Sequence, residues 1–380
     1  MTFPLTIPDP LRRALPPGTG VLLGLSGGVD SALTLALLRA LECDVQCVTF
    51  KNFCFSEDQV DLTEKSCCSL DAIEDARRLA RRFDAPHWVG DVAPAFQQAV
   101  IDPFISEYQA ARTPNPCLSC NSDVRFPELV RLAMRQGCQL AATGHYARIM
   151  EQEGEARLLA GVDPTKDQSY FLHRVPAELF GHLVFPLGWW VKDDVRHAAR
   201  ELGLSVAEKQ DSQEICFVPD DDRSFLFDDA DRPGDIVNRQ GQVLGRHRGL
   251  IHYTVGQRKG LGVAADRPLY VLSLDPENNQ VVLGYREELA VTRIVADRFQ
   301  AACAGFPERM PEGRAFLARV RHRHAGTPVA AWHRQEDRLE VMLAEPIEGV
   351  APGQAVVLYD GPTVLGGGRI MTTHGLEGQE

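Results

Sequence analysis

A short apolar run that leads into a glycine turn and then a helix constrains this chain more than any other feature. Residues 21–25 read VLLGL, a pattern typical of a strand buried on both faces of a sheet. The string GLSGGVDS occupies 24–31, and an Ala/Leu-rich helix is predicted from Ser31 to about Leu41. A strand, a tight turn and a helix in this order predict an α/β fold with a parallel sheet.

The same alternation continues to about residue 150. Strands are predicted at 44–50, 87–92 and 140–149. Helices are predicted from a Ser69 cap to about Phe83, over 94–109 with a break at Pro103, and over 127–138. Helices then cover both faces of the sheet, and ligands are expected at the carboxyl ends of its strands.

Beyond about residue 205 the pattern changes to short alternating strands separated by turn signals. Strands are predicted at 270–274, 280–283, 315–322, 339–343 and 355–358. This spacing indicates two small, mainly β units, and the last one is expected to be a barrel or a sandwich.

The net charge first argues against a nucleic-acid partner. The chain has 40 basic and 52 acidic residues, a formal charge of −12. Most of the excess lies at 151–230, which carry 8 basic and 17 acidic residues, whereas 231–380 carry 18 of each. Because the acidic excess is local, a polyanion partner stays open.

Membrane and secretory classes are excluded by the hydropathy pattern. No apolar run approaches the ~18 residues that a membrane span needs. The start, MTFPLTIPDPLRR, has prolines where a signal peptide needs an apolar stretch. We therefore expect a cytoplasmic protein without membrane contact, whose ten cysteines are mostly reduced.

The turn at 24–31 has the composition of an anion-binding loop. Ser26, Gly27 and Gly28 allow a tight turn, so that several N–H groups converge at a helix N-terminus, where the helix dipole favours negative charge. It is not a Walker loop, because no Gly-Lys-Ser/Thr follows and no lysine reaches the phosphates. This loop predicts a nucleotide phosphate site.

The sequence separates cysteines that are expected to be buried from cysteines that could bind a metal or react. Cys43, Cys47 and Cys138 lie in or beside apolar elements and are expected to be buried. Cys117 and Cys120 form a CxxC pair in a predicted loop, which favours a metal or redox role. A structural zinc site needs a second such pair, which the chain lacks. Nothing local marks Cys216 as reactive.

Six strings together carry a family resemblance. The phosphate loop resembles the PP-loop of ATP pyrophosphatases. With it, in one order, stand TPNPCLSCN at 113–121, ATGHYAR at 142–148, DPTKDQSYFL at 163–172, DSQEICFV at 211–218 and YTVGQRKGLG at 253–262. The set resembles bacterial tRNA-specific 2-thiouridylases, which replace the C2 oxygen of wobble uridine 34 in tRNA with sulfur.

The resemblance implies an architecture and a set of cofactors and partners. It implies an α/β, parallel-sheet PP-loop domain (adenine nucleotide alpha hydrolase-like) at 1–206, a small central β-rich domain at 207–287 and a C-terminal β-barrel domain at 288–380. The implied cofactors are ATP and Mg²⁺. The implied partners are tRNA and a sulfur donor or relay protein of a cysteine desulfurase system.

The resemblance also implies site residues, by their positions within the matching strings. Cys120 matches the nucleophile and Cys216 the cysteine that carries a persulfide, with a transient disulfide between them. The positions matched to ATP are Gly24, Leu25, Ser26, Gly27, Gly28, Val29, Asp30, Ser31, Phe50 and Gly144, and Asp30 is expected to help place magnesium. The positions matched to tRNA are Asn115, Pro116, Cys117, His145, Lys166, Asp167, Gln168, Arg321, His322 and Gln354.

One departure from the family leaves the mechanism open. Many relatives have aspartate where Cys117 stands, and that aspartate is often given an acid–base role. The residue that transfers the proton in this chain is therefore left open. Cys117, Cys120 and Cys216 also permit a 4Fe–4S cluster with one open iron, as an alternative to the persulfide. Cys67, Cys68 and Cys303 receive no role.

Support for RNA binding comes from ARVRHRH at 318–324. If this run is a strand, Arg319, Arg321 and Arg323 point to one face, and His322 and His324 to the other.

Competing functions are a PP-loop ATPase that activates a carbonyl for nitrogen, a thiolase acting on cytidine 32, and a metal-holding RNA-binding module without catalysis.

Overall fold

A computed structural model describes residues 3–53, 70–210, 215–218, 222–227, 230–303 and 305–375. These residues divide into two compact units. The first contains the described residues within 1–100, 117–221 and 362–364, and the second those within 101–116, 222–361 and 365–380. The expected domain boundaries after residues 206 and 287 stay a prediction.

The helices and strands are defined here in chain order. The helices are α1 (Asp9–Ala14), α2 (Val29–Ala40), α3 (Leu70–Arg82), α4 (Ala93–Phe96), α5 (Asp102–Gln109), α6 (Pro116–Ser119), α7 (Phe126–Arg135), α8 (Ser169–Leu172) and α9 (Lys192–Glu201). The strands are β1 (Gly20–Gly24), β2 (Asp44–Lys51), β3 (His87–Asp91), β4 (Leu140–Ala142), β5 (Ala147–Gln152), β6 (Glu155–Ala160), β7 (Leu183–Val184), β8 (Gly234–Asn238), β9 (Val243–His247), β10 (Tyr270–Asp275), β11 (Gln280–Gly284), β12 (Val291–Ala301), β13 (Leu317–Arg319), β14 (Thr327–Gln335), β15 (Arg338–Ile347), β16 (Ala355–Asp360) and β17 (Thr363–His374).

The first unit is built on a five-stranded parallel sheet in the order β3-β2-β1-β4-β7. Val21, Leu22 and Leu23 in the central strand β1 are fully buried, as their apolar run predicts. Helices α2, α3 and α9 share a core cluster with Val21 and Leu23, and α7 contacts β1 and β4. The predicted parallel α/β sheet is confirmed.

The strand predicted at 140–149 is interrupted. It ends as β4 at Ala142 and resumes as β5 at Ala147, which forms an antiparallel hairpin with β6. Between them, Gly144 lies so close to the phosphate loop that an added Cβ would be 2.9 Å from the carbonyl carbon of Asp30 and from the amide nitrogen of Ser31. The chain therefore leaves the sheet at the end of β4.

The break predicted at Pro103 is a change of helix type. A π-helix at Gln97–Ile101 lies between α4 and α5. Pro103 is the second residue of α5, directly after the π-helix, and it has no N–H to donate back to that helix.

The second unit contains two sheets. The four-stranded sheet has the order β10-β11-β8-β9, with β8 and β11 parallel and the other pairs antiparallel. The other runs β12-β15-β14-β13-β16-β17, and pairing of β12 with β17 closes it into a six-stranded barrel around Trp332 and Val341. The barrel alternative is confirmed over the sandwich.

The prediction of an alternating basic strand at 318–324 is wrong. Strand β13 ends at Arg319, and the next residues form a turn in which the His324 N–H donates to the Arg321 carbonyl over 3.0 Å. Gly326, with a φ of 107°, then leads the chain into β14. Because the backbone turns here, the arginine side chains do not share the face of one strand.

Among the helices that the structure describes, none is both long and apolar enough to cross a membrane.

Candidate active site

Backbone geometry builds the phosphate loop between β1 and α2. Gly27 has a φ of 71°, and a Cβ there would lie 2.4 Å from the carbonyl oxygen of Ala72, so only glycine fits. The Ser31 hydroxyl accepts from the Ser26 N–H over 3.2 Å and donates to the Gly28 carbonyl over 3.1 Å. These bonds tie the loop to the first turn of α2, where unpaired helical N–H groups favour an anion.

The carboxylate of Asp30, beside this loop, accepts three hydrogen bonds. Its Oδ1 and Oδ2 accept from the Lys192 Nζ over 2.7 and 2.8 Å, and Oδ1 also accepts from the Tyr146 hydroxyl over 2.8 Å. Magnesium prefers carboxylate oxygens that are open to it. The arrangement therefore does not fit Asp30 as a direct magnesium ligand.

Lys192 is a site residue that sequence reasoning missed, as is Tyr146. Lys192 lies 162 positions after Asp30, at the start of α9, and the string around it, VKDDVR, carries no nucleotide signal. Only the folded chain shows that a buried lysine meets the loop.

Phe50 and Gly144 both lie at the loop's edge of the sheet. The ends of β1 and β2 are paired, Gly24 with Val48, and the Leu25 N–H donates to the Val48 carbonyl over 2.9 Å. Half-buried Phe50 follows in β2. The structure thus places Gly144 against the phosphate loop, whereas Phe50 lies two residues beyond the pairing of Val48 with Gly24 and pairs with Gly90 of β3.

Burial separates the inert thiols from the others. Desolvation raises the pKa of Cys43 to about 11 and that of Cys47 to about 12, and it also raises the pKa of Cys138. The expected burial of these three is confirmed. By contrast, Cys117 is exposed and Cys216 is half-buried.

The CxxC pair is helical, so the predicted loop is wrong. Cys117 lies in α6, and Cys120 begins a π-helix, Cys120–Arg125, in which it is 7% exposed. Pro116 suits the first position of a helix. The side-chain amide of Asn121 donates to the Phe171 carbonyl over 3.1 Å, which fixes the π-helix against α8.

The segment after Cys216 packs near the same π-helix. Phe217 is 1% exposed and meets Phe96 edge to face, with ring centroids 5.8 Å apart. Helix α4, which carries Phe96, contacts the π-helix that Cys120 begins. Both cysteines thus belong to one part of the first unit. Asp211, Ser212, Gln213 and Glu214 of the same string lie outside the described residues.

The cysteines that the structure describes belong to no group of three metal-ligating side chains. Within the described ranges, no three Cys, His, Asp or Glu side chains are grouped to hold an ion. The alternative of a cluster held by Cys117, Cys120 and Cys216 therefore stays a prediction. Cys67 and Cys68 lie outside the described residues.

Several residues expected to contact tRNA also have roles inside the fold. The His145 ring lies between Phe126 and Phe185, at centroid distances of 5.4 and 5.8 Å, and burial lowers its pKa to about 3. His145 is therefore neutral at pH 7 and offers no positive charge to a phosphate. Asp167 is 3% exposed, and its carboxylate accepts from the Gly161 N–H over 3.0 Å.

The other expected contacts differ in exposure. Gln168 accepts from the Tyr146 N–H over 2.8 Å, whereas Lys166 is half-buried. Arg321 is exposed and donates to the Glu348 carbonyl over 3.1 Å, and His322 is half-buried.

In the second unit, Gln354 anchors the approach to the CxxC motif. Its side-chain amide donates to the Thr113 carbonyl over 2.8 Å, and the Thr113 N–H donates to the Pro352 carbonyl over 2.8 Å. Asn115 and Pro116 follow directly. Gln354 therefore holds the backbone segment that leads to Asn115 and Pro116.

The chain is similar to known proteins over nearly its whole length. Family models match it as a tRNA methyl transferase HUP domain at 19–220, a tRNA methyl transferase PRC-barrel domain at 226–285 and an aminomethyltransferase beta-barrel domain at 300–370. It is 44% identical over 358 residues to the tRNA-specific 2-thiouridylase MnmA of Geobacter metallireducens, covering 92% of this chain and 96% of the relative.

Two further similarities differ in weight. The tRNA-specific 2-thiouridylase MnmA of Lachnoclostridium phytofermentans is 39% identical over 356 residues, covering 92% of this chain and 99% of the relative. Among solved structures, the U34-tRNA thiolase NcsA from Methanococcus maripaludis with its 4Fe–4S cluster is 16% identical, covering 55% of this chain and 65% of that one, with a TM-score of 0.36.

Proposed function

Because the chain belongs to the tRNA-specific 2-thiouridylase family, we propose that it catalyses the ATP-dependent 2-thiolation of uridine 34 in tRNA. The observation that carries this proposal is the placement of two cysteine segments in the unit that forms the phosphate loop. Cys120 begins a π-helix in that unit, and the residue after Cys216 packs onto the helix that this π-helix contacts.

The first step activates the base. A uracil carbonyl is a poor electrophile, and attack of its C2 oxygen on the α-phosphate of ATP turns that oxygen into part of a good leaving group. The N–H groups of the loop at 24–31 bind the departing pyrophosphate. Phe50, near the carboxyl end of β2, is proposed to border the adenine, and Gly144 lies against the loop backbone at Asp30 and Ser31. Magnesium would be held by the phosphates of ATP and would shield their charges.

The second step transfers sulfur. Cys216 carries a persulfide, whose terminal sulfur attacks C2 and displaces AMP. The Cys120 thiolate then attacks the Cys216 Sγ, which breaks the persulfide bond, releases 2-thiouridine and leaves a Cys120–Cys216 disulfide. A thiol reductant restores both cysteines for the next turnover.

The difference in exposure between Cys216 and Cys120 supports these two roles. Half-buried Cys216 can be loaded by an external donor, while Cys120 lies largely inside the protein. We propose that a cysteine desulfurase system supplies the sulfur and that the enzyme acts in the cytoplasm, where its tRNA substrate is found. Asn115, Pro116 and Cys117 precede Cys120 and are proposed to meet the target base.

The test measures 2-thiouridine in tRNA from a strain that lacks this gene. The wild-type gene should restore the nucleoside, whereas Cys216→Ser and Cys120→Ser should not. The matched control is Cys303→Ser, which changes a half-buried thiol of the second unit. Retained 2-thiouridine in the deletion strain contradicts the proposal.

A second measurement separates the two steps. Cys216→Ser should keep tRNA-dependent exchange of pyrophosphate into ATP, because adenylation precedes sulfur transfer. Iron in protein purified without oxygen, together with loss of activity on its removal, would replace the persulfide mechanism by the cluster alternative. No exchange in any variant would contradict adenylation.

A further inference from the structure

A buried ion pair joins the phosphate loop to a distant helix. Lys192, the first residue of α9, places its Nζ 2.7 and 2.8 Å from the two carboxylate oxygens of Asp30. The Lys192 side chain is only 7% exposed, against 31% for Asp30. Burying a lysine is costly unless a partner of opposite charge is fixed beside it.

The surrounding contacts fix the ammonium in place. The Lys192 N–H donates to the Asp163 Oδ2 over 2.9 Å, which holds the start of α9. The Nζ also lies 5.5 Å from the ring centroid of Tyr146, a cation–π distance. The hydroxyl of that same tyrosine donates to the Asp30 Oδ1. The lysine is thus preorganised before any nucleotide enters.

Asp30 places a negative charge in the phosphate loop, and the ammonium of Lys192 compensates this charge. Asp30 is the only carboxylate in the string 24–31, at the place where a polyphosphate must bind. Like charges at short range in a partly buried site repel strongly. The loop carries no lysine of its own, so the compensating charge has to come from elsewhere in the chain.

We propose that Lys192 is a positioning residue of the nucleotide site. Its ammonium neutralises and orients Asp30, so that the loop N–H groups can accept the phosphates of ATP. The inference rests on the proposed function only in taking ATP as the ligand. It assigns Lys192 a role through Asp30, and not a contact with the reacting base.

The experiment is a binding cycle, with the affinity for ATP and Mg²⁺ measured by calorimetry in the absence of tRNA. We expect Lys192→Met to weaken ATP binding by at least about tenfold, because it leaves a carboxylate unpaired beside the phosphates. Lys192→Arg, which keeps the charge, should recover most of the affinity. The control is Arg135→Met, which removes one exposed positive charge at the end of α7.

The decisive comparison uses Asp30→Asn. Adding Lys192→Met to Asp30→Asn should change the ATP affinity by less than about threefold, because no carboxylate then needs to be neutralised. This comparison also holds if Lys192→Met alone folds poorly, which circular dichroism and thermal unfolding will show.

Two outcomes overturn the inference. One is wild-type ATP affinity in folded Lys192→Met. The other is an equally large loss in both backgrounds, which means that the lysine contacts the phosphates directly. The proposed function fails separately: wild-type protein that binds ATP through Lys192 but makes no 2-thiouridine contradicts the function and leaves this inference standing.

Discussion

The side-chain amide of Gln354 donates a 2.8 Å hydrogen bond to the carbonyl of Thr113, 241 positions earlier in the chain and two residues before Asn115. Gly353 lies against the same residue, so close that an added Cβ would be 2.8 Å from the Thr113 nitrogen. A barrel residue expected only to contact tRNA therefore also holds the segment that is proposed to meet the target base.

Gln354→Ala should slow thiolation more than it weakens ATP binding. Loss of the hydrogen bond to Thr113 should lower the free energy of unfolding by about 1 kcal/mol and loosen the approach to the CxxC motif. Nucleoside analysis and calorimetry measure the two effects. Gln335→Ala, an exposed glutamine of β14, is the control. Equal losses of ATP affinity and thiolation would contradict the assignment.

Gly144→Ala should weaken ATP binding by distorting the phosphate loop. The added Cβ would lie 2.9 Å from the Ser31 nitrogen, a distance at which backbone must shift, and overpacking of this kind costs about 1–3 kcal/mol. Calorimetry with ATP measures the loss. Gly181→Ala is the control, because a Cβ there meets nothing within 4 Å. An unchanged affinity in the Gly144 variant would show that the loop tolerates the shift.

The thiols should differ sharply in reactivity toward iodoacetamide in the native protein at pH 8. Burial raises the pKa of Cys43 to about 11 and of Cys47 to about 12, so both stay protonated, whereas exposed Cys117 reacts. Peptide mass spectrometry after timed quenching gives each rate. Labelling of Cys43 as fast as Cys117 would mean that the first-unit core opens readily.

His173 should make the protein less stable as the pH falls. It is fully buried, and burial lowers its pKa to about 4, although its Nδ1 contacts the Tyr170 carbonyl over 2.7 Å, which works the other way. Between its folded pKa and the ordinary value near 6.5, the unfolded state binds more protons. The stability is therefore present above about pH 6.5 and is lost as the pH falls toward 4.

This loss has a measurable size. From pH 7 to pH 5, His173 should reduce the free energy of unfolding by about 2 kcal/mol. His173→Asn, whose amide can replace the Nδ1–H donor, should unfold in urea with a smaller pH dependence than the wild type. His197→Asn makes the same exchange at a histidine of α9 whose side chain is 68% exposed, and it serves as the comparison. A variant slope equal to that of the wild type would contradict the assignment.

Charge reversal at Arg321 and Arg323 should weaken tRNA binding and flatten its salt dependence. Both side chains are exposed at the turn after β13. Removing one arginine–phosphate ion pair lowers the slope of log K against log salt by about 0.9 for duplex nucleic acid. Filter binding at several salt concentrations gives the slope. Arg338→Glu, an exposed arginine at the start of β15, is the control, and unchanged affinity and slope would remove the turn from the interface.

The fold was predictable to a large extent because its signals are local. The apolar run of β1, the glycines at 27 and 28 and the apolar face of α3 each depend on residues within a few positions of one another. The predicted strand at 140–149 and the basic strand at 318–324 failed for the opposite reason. Close approach of Gly144 to Asp30, and a turn that His324 closes onto Arg321, interrupt patterns that look regular along the chain.

The sequence by itself determined the parallel sheet, the phosphate loop and the family, since backbone turns and hydrophobic periodicity depend on residues that are neighbours along the chain. Only the tertiary structure decided which distant groups complete the site. Lys192 meets Asp30 across 162 positions, and Gln354 meets Thr113 across 241. Burial, which lowers the pKa of His145 and raises that of Cys47, likewise exists only once the chain has folded. Charge pairing and desolvation depend on distance in space, and a sequence records only distance along the chain.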